Sequence, residues 1–116
     1  MAAVIPTGNY VTTAFNLADT NKTTVYTVPT GFFAYVTQIW AADDAGAART
    51  LTIEAGLGGT DYMLGYQVAI AINVPLDWEF KPLQMTATDT IKMTASAAGI
   101  HGFVTVHHVA RRLAAV

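Results

Sequence analysis

The chain has 116 residues, 53% of them hydrophobic and 12% charged, with a net charge of −2. Soluble domains usually carry roughly 25% charged residues, so part of the apolar surplus is expected to be covered by another copy or another protein. The six basic residues form no stripe that would neutralise a run of phosphates, and the absence of cysteine excludes disulfides, thiolate nucleophiles and cysteine-zinc sites.

The length fits a single domain able to bury roughly two-thirds of its unfolded surface. No segment approaches the roughly 20 continuous apolar residues of a membrane span, and "MAAVIPTGNY" has neither the basic start nor the apolar run of a signal peptide. The expectation is a soluble protein made in the cytoplasm. Seventeen threonines against a single serine, Ser96, bias the chain toward strands, because a β-branched side chain fits a pleated, half-buried surface.

In chain order, residues 1–17 read as an N-terminal arm leading into the domain. Asn21-Lys22-Thr23 is a chance glycosylation sequon in a chain without a secretion signal. "AYVTQIWAA" alternates badly, with Tyr35 and Ile39 on one face and Val36 and Trp40 on the other. Neither face is cleanly polar, so this strand is expected to be covered on both sides. "RTLTIEA" turns Leu51, Ile53 and Ala55 inward and Thr50, Thr52 and Glu54 outward. "GLGG", Gly56 to Gly59, lacks the spacing of a phosphate loop and precedes a strand rather than a helix, which makes it a flexible hairpin loop.

The clearest alternation is "YMLGYQVAIAINV", where Tyr62, Leu64, Tyr66, Val68, Ile70, Ile72 and Val74 form one apolar stripe of period two. Pro75 interrupts it, and "LDWEF" follows with Leu76, Trp78 and Phe80 inward and Asp77 and Glu79 outward. "TIKMTA" buries Ile91 and Met93. Short strands separated by "VPTG", "DDAGAA", "GLGGTD" and "ASAAG" indicate an all-β sandwich or small barrel.

All three histidines fall in the last strand, "GIHGFVTVHHVARR". His101 and His107 share a face with Phe103, Thr105 and Val109, while His108 points the other way with Val104 and Val106. His101 and His107 are roughly 20 Å apart along a strand, too far for one metal ion. Asp43-Asp44 is turn chemistry first and a calcium ligand pair second. Asp77 and Glu79 are a solvated face rather than a glycosidase pair, and Ser96 lacks the glycine-flanked elbow of a nucleophile. The residues therefore point to no catalytic, cofactor or metal site. The candidates for intermolecular contact are Tyr10 and Phe15 in the arm, Tyr35 and Trp40 on the two-sided strand, and His107, His108, Arg111 and Arg112 at the end of the last.

"TTVYTVPTG" at residues 23 to 31, "ARTLTIEAG", and "PLQMTATDTIKMTASAAGIHGFVTV" together resemble small structural proteins of tailed-bacteriophage virions, over residues 23 to 106. The resemblance implies a single jelly-roll-like sandwich of about eight strands. With the arm at 1–17, the domain would span 18–110 and a C-terminal tail 111–116. It also implies a non-enzymatic, multimeric virion protein, a homotrimer or other symmetric homo-oligomer. The role expected is a capsid decoration protein that binds the major capsid protein. The alternative is a tail or fibre module that binds carbohydrate through aromatic side chains. Neither reading calls for a cofactor, a nucleic acid or a membrane.

Overall fold

Turn residues cut the chain into eight strands: Gly8–Leu17 (β1), Thr23–Thr27 (β2), Phe32–Asp43 (β3), Arg49–Leu57 (β4), Thr60–Ile70 (β5), Leu76–Met85 (β6), Thr90–Ala95 (β7) and Ile100–Ala110 (β8). This computed structural model describes residues 8–110 apart from positions 45 and 73. The strands form two four-stranded antiparallel sheets, ordered β1-β8-β3-β6 and β2-β7-β4-β5. First strand beside last, and second beside seventh, is the interleaved double Greek key of a jelly roll. The chain is thus the all-β, jelly-roll-like sandwich that its sequence leads one to expect.

The core fills the space between the sheets. Val36, Ile39, Val104 and Val106 from one sheet meet Leu51, Ile53, Ile91 and Met93 from the other, and none of the eight is exposed. Each such side chain stabilises the fold by about 2 kcal/mol relative to leaving it in water.

Three sequence expectations change. The first concerns residues 8–17 of the expected arm. They are an edge strand, paired without a break to β8 from Gly8↔Val109 to Leu17↔Ile100. Phe15 and Leu17 are buried in the core, so this stretch belongs to the sandwich, and the domain begins before residue 18. The segments at 1–7 and 111–116, with Arg111 and Arg112, lie outside the described residues.

The second concerns β3. Its register shifts between Val36 and Gln38 against both neighbours, so Thr37 is an extra residue in the strand, and its hydroxyl donates to the Thr105 carbonyl at 3.2 Å. A one-residue bulge flips every side chain beyond it. Val36 and Ile39 therefore both face the core, while Tyr35 and Trp40 both face outward. The poor alternation comes from the bulge, and Tyr35 and Trp40 remain partly exposed in this single chain.

The third concerns β5. Two shifts in its register against β4, around Ile53, break the apolar stripe. Gln67 takes a left-handed φ of 46° there, and its N–H donates to the Thr52 hydroxyl at 3.1 Å. Tyr66 falls between the two shifts and turns outward, Tyr62 lies opposite Ala55 at the rim and is exposed, and Ile70 alone of the stripe reaches full burial. Ile72 and Val74 lie in the following loop and are exposed.

The "LDWEF" reading holds. Leu76, Trp78 and Phe80 pack against the core, and Trp78 meets Phe80 edge to face at 6.1 Å. Trp78 also bridges to the other sheet, since its ring occupies the space that a side chain at Gly65 would need. The adjacent acids separate. Asp43 turns inward and pairs with Arg49 at 3.3 Å, whereas Asp44 stays exposed, 3.9 Å from His101. Ser96 is in a loop, where its hydroxyl accepts from the Thr50 N–H at 2.9 Å.

"GLGG" does make a hairpin, with Gly58 and Gly59 both at positive φ, 61° and 86°, as a tight two-residue turn requires. It is tethered rather than free, because the Gly58 N–H donates to Asp89 Oδ1 at 3.1 Å.

Candidate functional site

The two outer surfaces of the sandwich differ in chemistry. Outside the β2-β7-β4-β5 sheet lie threonines and a charge network in which Lys22 pairs with Glu54 at 3.1 Å and Asp61 at 3.3 Å, and Lys92 pairs with Asp61 at 2.9 Å. The hydrogen bond from Lys92 holds the Asp61 carboxyl below its ordinary pKa, with Lys22 adding to the effect. The β5 border of the same sheet also exposes Tyr62, Met63 and Tyr66.

The outer face of β1-β8-β3-β6 is built in rows across the strands. One row runs Tyr10, His107, Tyr35 and Gln84, and another runs Ala14, Phe103, Trp40 and Asp77. Between them Thr12, Thr105, Gln38 and Glu79 form a polar row. The rings are organised: Tyr10 stacks on His107 at 4.9 Å, and Trp40 stacks on Phe103 at 5.4 Å with the planes only 9° apart. Tyr35 leans on His107 and Trp40 on His101, each pair 6.4 Å between centroids. Stacked rings present a large, rigid apolar surface that loses little side-chain entropy on binding.

The aromatic rows continue past the sheet. Trp40 and Ala42 border a depression of about 150 Å³ with Ala71, Val74 and Pro75 of the β5–β6 loop, where Val74 is exposed. At the β6 border the face turns acidic, with Asp77 accepting from the Gln38 amide at 2.8 Å and Glu79 beside it.

Four of the contact candidates named from sequence, Tyr10, Tyr35, Trp40 and His107, are thus brought together on one face. Two are not, because Phe15 and His108 point into the sandwich. His108 Nε2 shares a hydrogen bond with the Tyr26 hydroxyl, and its ring packs on Phe32 at 5.5 Å. Phe103, which stacks on Trp40, was not among the candidates, although its strand parity, the same as that of His101 and His107, gives its face away.

Burial, with a smaller push from the charge of His107, lowers the pKa of His108. Burial likewise raises the Tyr26 phenol to about 12. Below its ordinary pKa of about 6.5 the unfolded histidine takes up a proton before the folded one does. The stability that neutral His108 contributes is therefore fully present above that value and lost as pH falls below it through the lower native value. A melting temperature that declines from pH 7 to pH 5, with the decline flattened in His108→Gln, is the expected result of thermal melts across that window. An unchanged slope in the variant would refute it.

No family model matches the chain, and no curated protein matches it by sequence. Solved structures do. A chain from Bacillus endospore appendages, described as a novel family of disulfide-linked pili, superimposes with a TM-score of 0.56 at 16% identity, covering 90% of this chain and 88% of that one. A chain from the acid-stable capsid structure of Helicobacter pylori bacteriophage KHP30 gives 0.54 at 13% identity, over 94% and 92% of the two chains. A pentameric capsid protein isolated from metagenomic phage sequences aligns more loosely, at 0.48 and 21% identity, over 86% and 62%. The likeness is one of fold. The superpositions on the appendage and KHP30 chains run over nearly the whole of both chains. Among the described residues no histidine, cysteine and carboxylate cluster suited to a metal ion occurs, and no helix is long and apolar enough to cross a membrane.

Proposed function

We propose that this chain is a non-catalytic structural subunit of a bacteriophage particle. In this reading it decorates the shell by laying the aromatic face of β1-β8-β3-β6 on the major capsid protein, as a symmetric homo-oligomer. The observation that carries the proposal is the stacking of Trp40 on Phe103 and of Tyr10 on His107 across β1-β8-β3, where the middle of the opposite surface is threonine-rich and ion-paired. Organised aromatic surface of this kind is concentrated at protein interfaces. The phage-capsid superposition supports the setting. The appendage neighbour is described as disulfide-linked, and this sequence has no cysteine with which to make such links.

Binding to shells assembled without this protein tests the proposal. In Tyr35→Ser/Trp40→Ser two anchors worth about 2 kcal/mol each are removed, and shell affinity is expected to fall about a hundredfold or more while the circular dichroism spectrum is kept. Unchanged occupancy of the shell would reject the face. Glycan-array binding by the natural chain, lost in the same double variant, would instead make the face a carbohydrate platform.

A further inference from the structure

A sandwich of two open sheets has four edges, and an unpaired edge is a template for another strand unless it is blunted. Three of the four are blunted here. β6 carries Asp77, Glu79 and Lys81 with Pro82, which has no N–H to donate, and its register against β3 is broken. β5 is bent by two register shifts and by the left-handed Gln67. β2 has only five residues, interrupted by a shift at Val25.

β1 has none of these devices. Its ten residues, GNYVTTAFNL, include no charged side chain and no proline, and its pairing with β8 runs unbroken from end to end. Among the described residues nothing pairs with its other side. We propose that this edge pairs with a second copy of the chain, β1 against β1 in antiparallel register about a two-fold axis, joining two four-stranded sheets into one of eight.

The self-pairing follows from the same comparison. A head-to-tail edge contact needs two different open edges on each copy, and the other three are closed, so the one open edge meets itself in an isologous contact. The uncharged strand brings no like charges together in any such register, which β6 with its two carboxylates would. Centred on Thr13, the pairing sets Val11 opposite the partner's Phe15 on the inner side, an aromatic against a β-branched residue, and Thr12 opposite the partner's Ala14 on the outer side. Directly opposed residues share a face. The two aromatic outer faces therefore end up on the same side of the joined sheet, doubling the surface described above without using it up.

Thr12 is exposed, sits mid-strand and faces away from the core, so a charge there disturbs the edge and not the interior. The natural chain is expected to have the mass of two protomers in sedimentation equilibrium, and Thr12→Lys and Thr12→Glu each to have the mass of one, with unchanged circular dichroism. Mixing the two variants is expected to restore the two-protomer mass, since opposite charges then sit diagonally across the two-fold axis, within reach of long side chains. Hydrogen exchange gives a reading that needs no substitution: protection of β1 amides should fall on dilution of the natural chain. A natural chain that is monomeric at every concentration overturns the proposal, as does a mass unaltered by both variants. If Tyr35→Ser/Trp40→Ser dissociates the pair and the Thr12 variants do not, the aromatic face rather than the edge is the self-contact.

Discussion

Gly102→Ala is expected to destabilise the protein by about 3 kcal/mol or more, at the upper end of what one added methyl group does in a packed interior. β8 is flanked by β1 and β3, and at Gly102 its backbone lies opposite Phe15 on one side and Ala41 on the other. A Cβ built there would overlap the Trp40 carbonyl oxygen and come within 2.8 Å of the Ala41 Cα. These are main-chain atoms in a neighbouring strand, so no side-chain rotation relieves the overlap, and β3 has to move away from β8 along its length. Gly31 is the control. It has a left-handed φ of 88° but open space around the missing side chain. Its alanine variant should lose only the conformational term, about 1 kcal/mol. For a domain of this size, a loss of 3 kcal/mol lowers the melting temperature by about 15 °C. Equal melting temperatures for the two variants would show that strand crowding is not what demands glycine at position 102.

The second large effect is at Asp89. Its buried carboxylate accepts from the Thr86 N–H at 2.9 Å and the Thr86 hydroxyl at 3.1 Å through Oδ2, and from the Gly58 N–H at 3.1 Å through Oδ1. Its own carbonyl accepts from the Val28 N–H at 2.9 Å. One residue thereby ties the β6–β7 turn, the β4–β5 hairpin and the end of β2 together. Burial alone raises the pKa of this carboxyl, but the hydrogen bonds from Thr86 and Gly58 outweigh it and leave the net shift downward. Asp89→Ala strands three donors and is expected to cost about 3 kcal/mol. Asp89→Asn keeps one acceptor oxygen and should cost about half as much. The sign of the shift fixes the pH dependence: the stability the carboxylate adds is present above the ordinary aspartate pKa of about 3.9 and is lost as pH falls below it through the lower native value. Denaturant titrations from pH 6 to pH 2 should show that loss in the natural chain and a shallower one in Asp89→Asn. Parallel curves would refute the assignment.

The same residue shows what could be read before the fold was known. The "TDTI" in which Asp89 stands belongs to the segment that resembles phage structural proteins, and the structure supplies its physical reason, a clamp on three turns. Strands with one wet face were legible from period two alone, as "LDWEF" and "TIKMTA" show, because their inward residues do meet the core. Bulges were not legible. Thr37 in β3 costs one residue of register, and parity is then lost for everything beyond it; the two shifts around Ile53 cost β5 one residue each, so parity is lost between them and regained at Tyr62. That is why Tyr35 and Trp40 were placed on opposite faces when they share one, and why Tyr66, set in the apolar stripe, stands exposed. β1 was misjudged for another reason. Its inward residues, Val11, Thr13, Phe15 and Leu17, alternate with only moderate contrast against Tyr10, Thr12, Ala14 and Asn16, and its partner strand lies at the far end of the sequence. No local signal reports a pairing of that separation.

That long separation also bears on how the chain comes to be made. β8 lies at the centre of its sheet, between β1 and β3, yet it is synthesised last of the eight. While the ribosome works, β1 and β3 have no strand to join them, and the half of the sandwich that carries the aromatic face cannot close until residues 100–110 emerge. Pairing across such distances is slow, and open strand edges are vulnerable meanwhile. The uncharged β1 is exposed for longest. A nascent chain stalled before β8 should be sticky and protease-sensitive as a whole, and release of the eleven residues of β8 should act as the step that commits it to the fold.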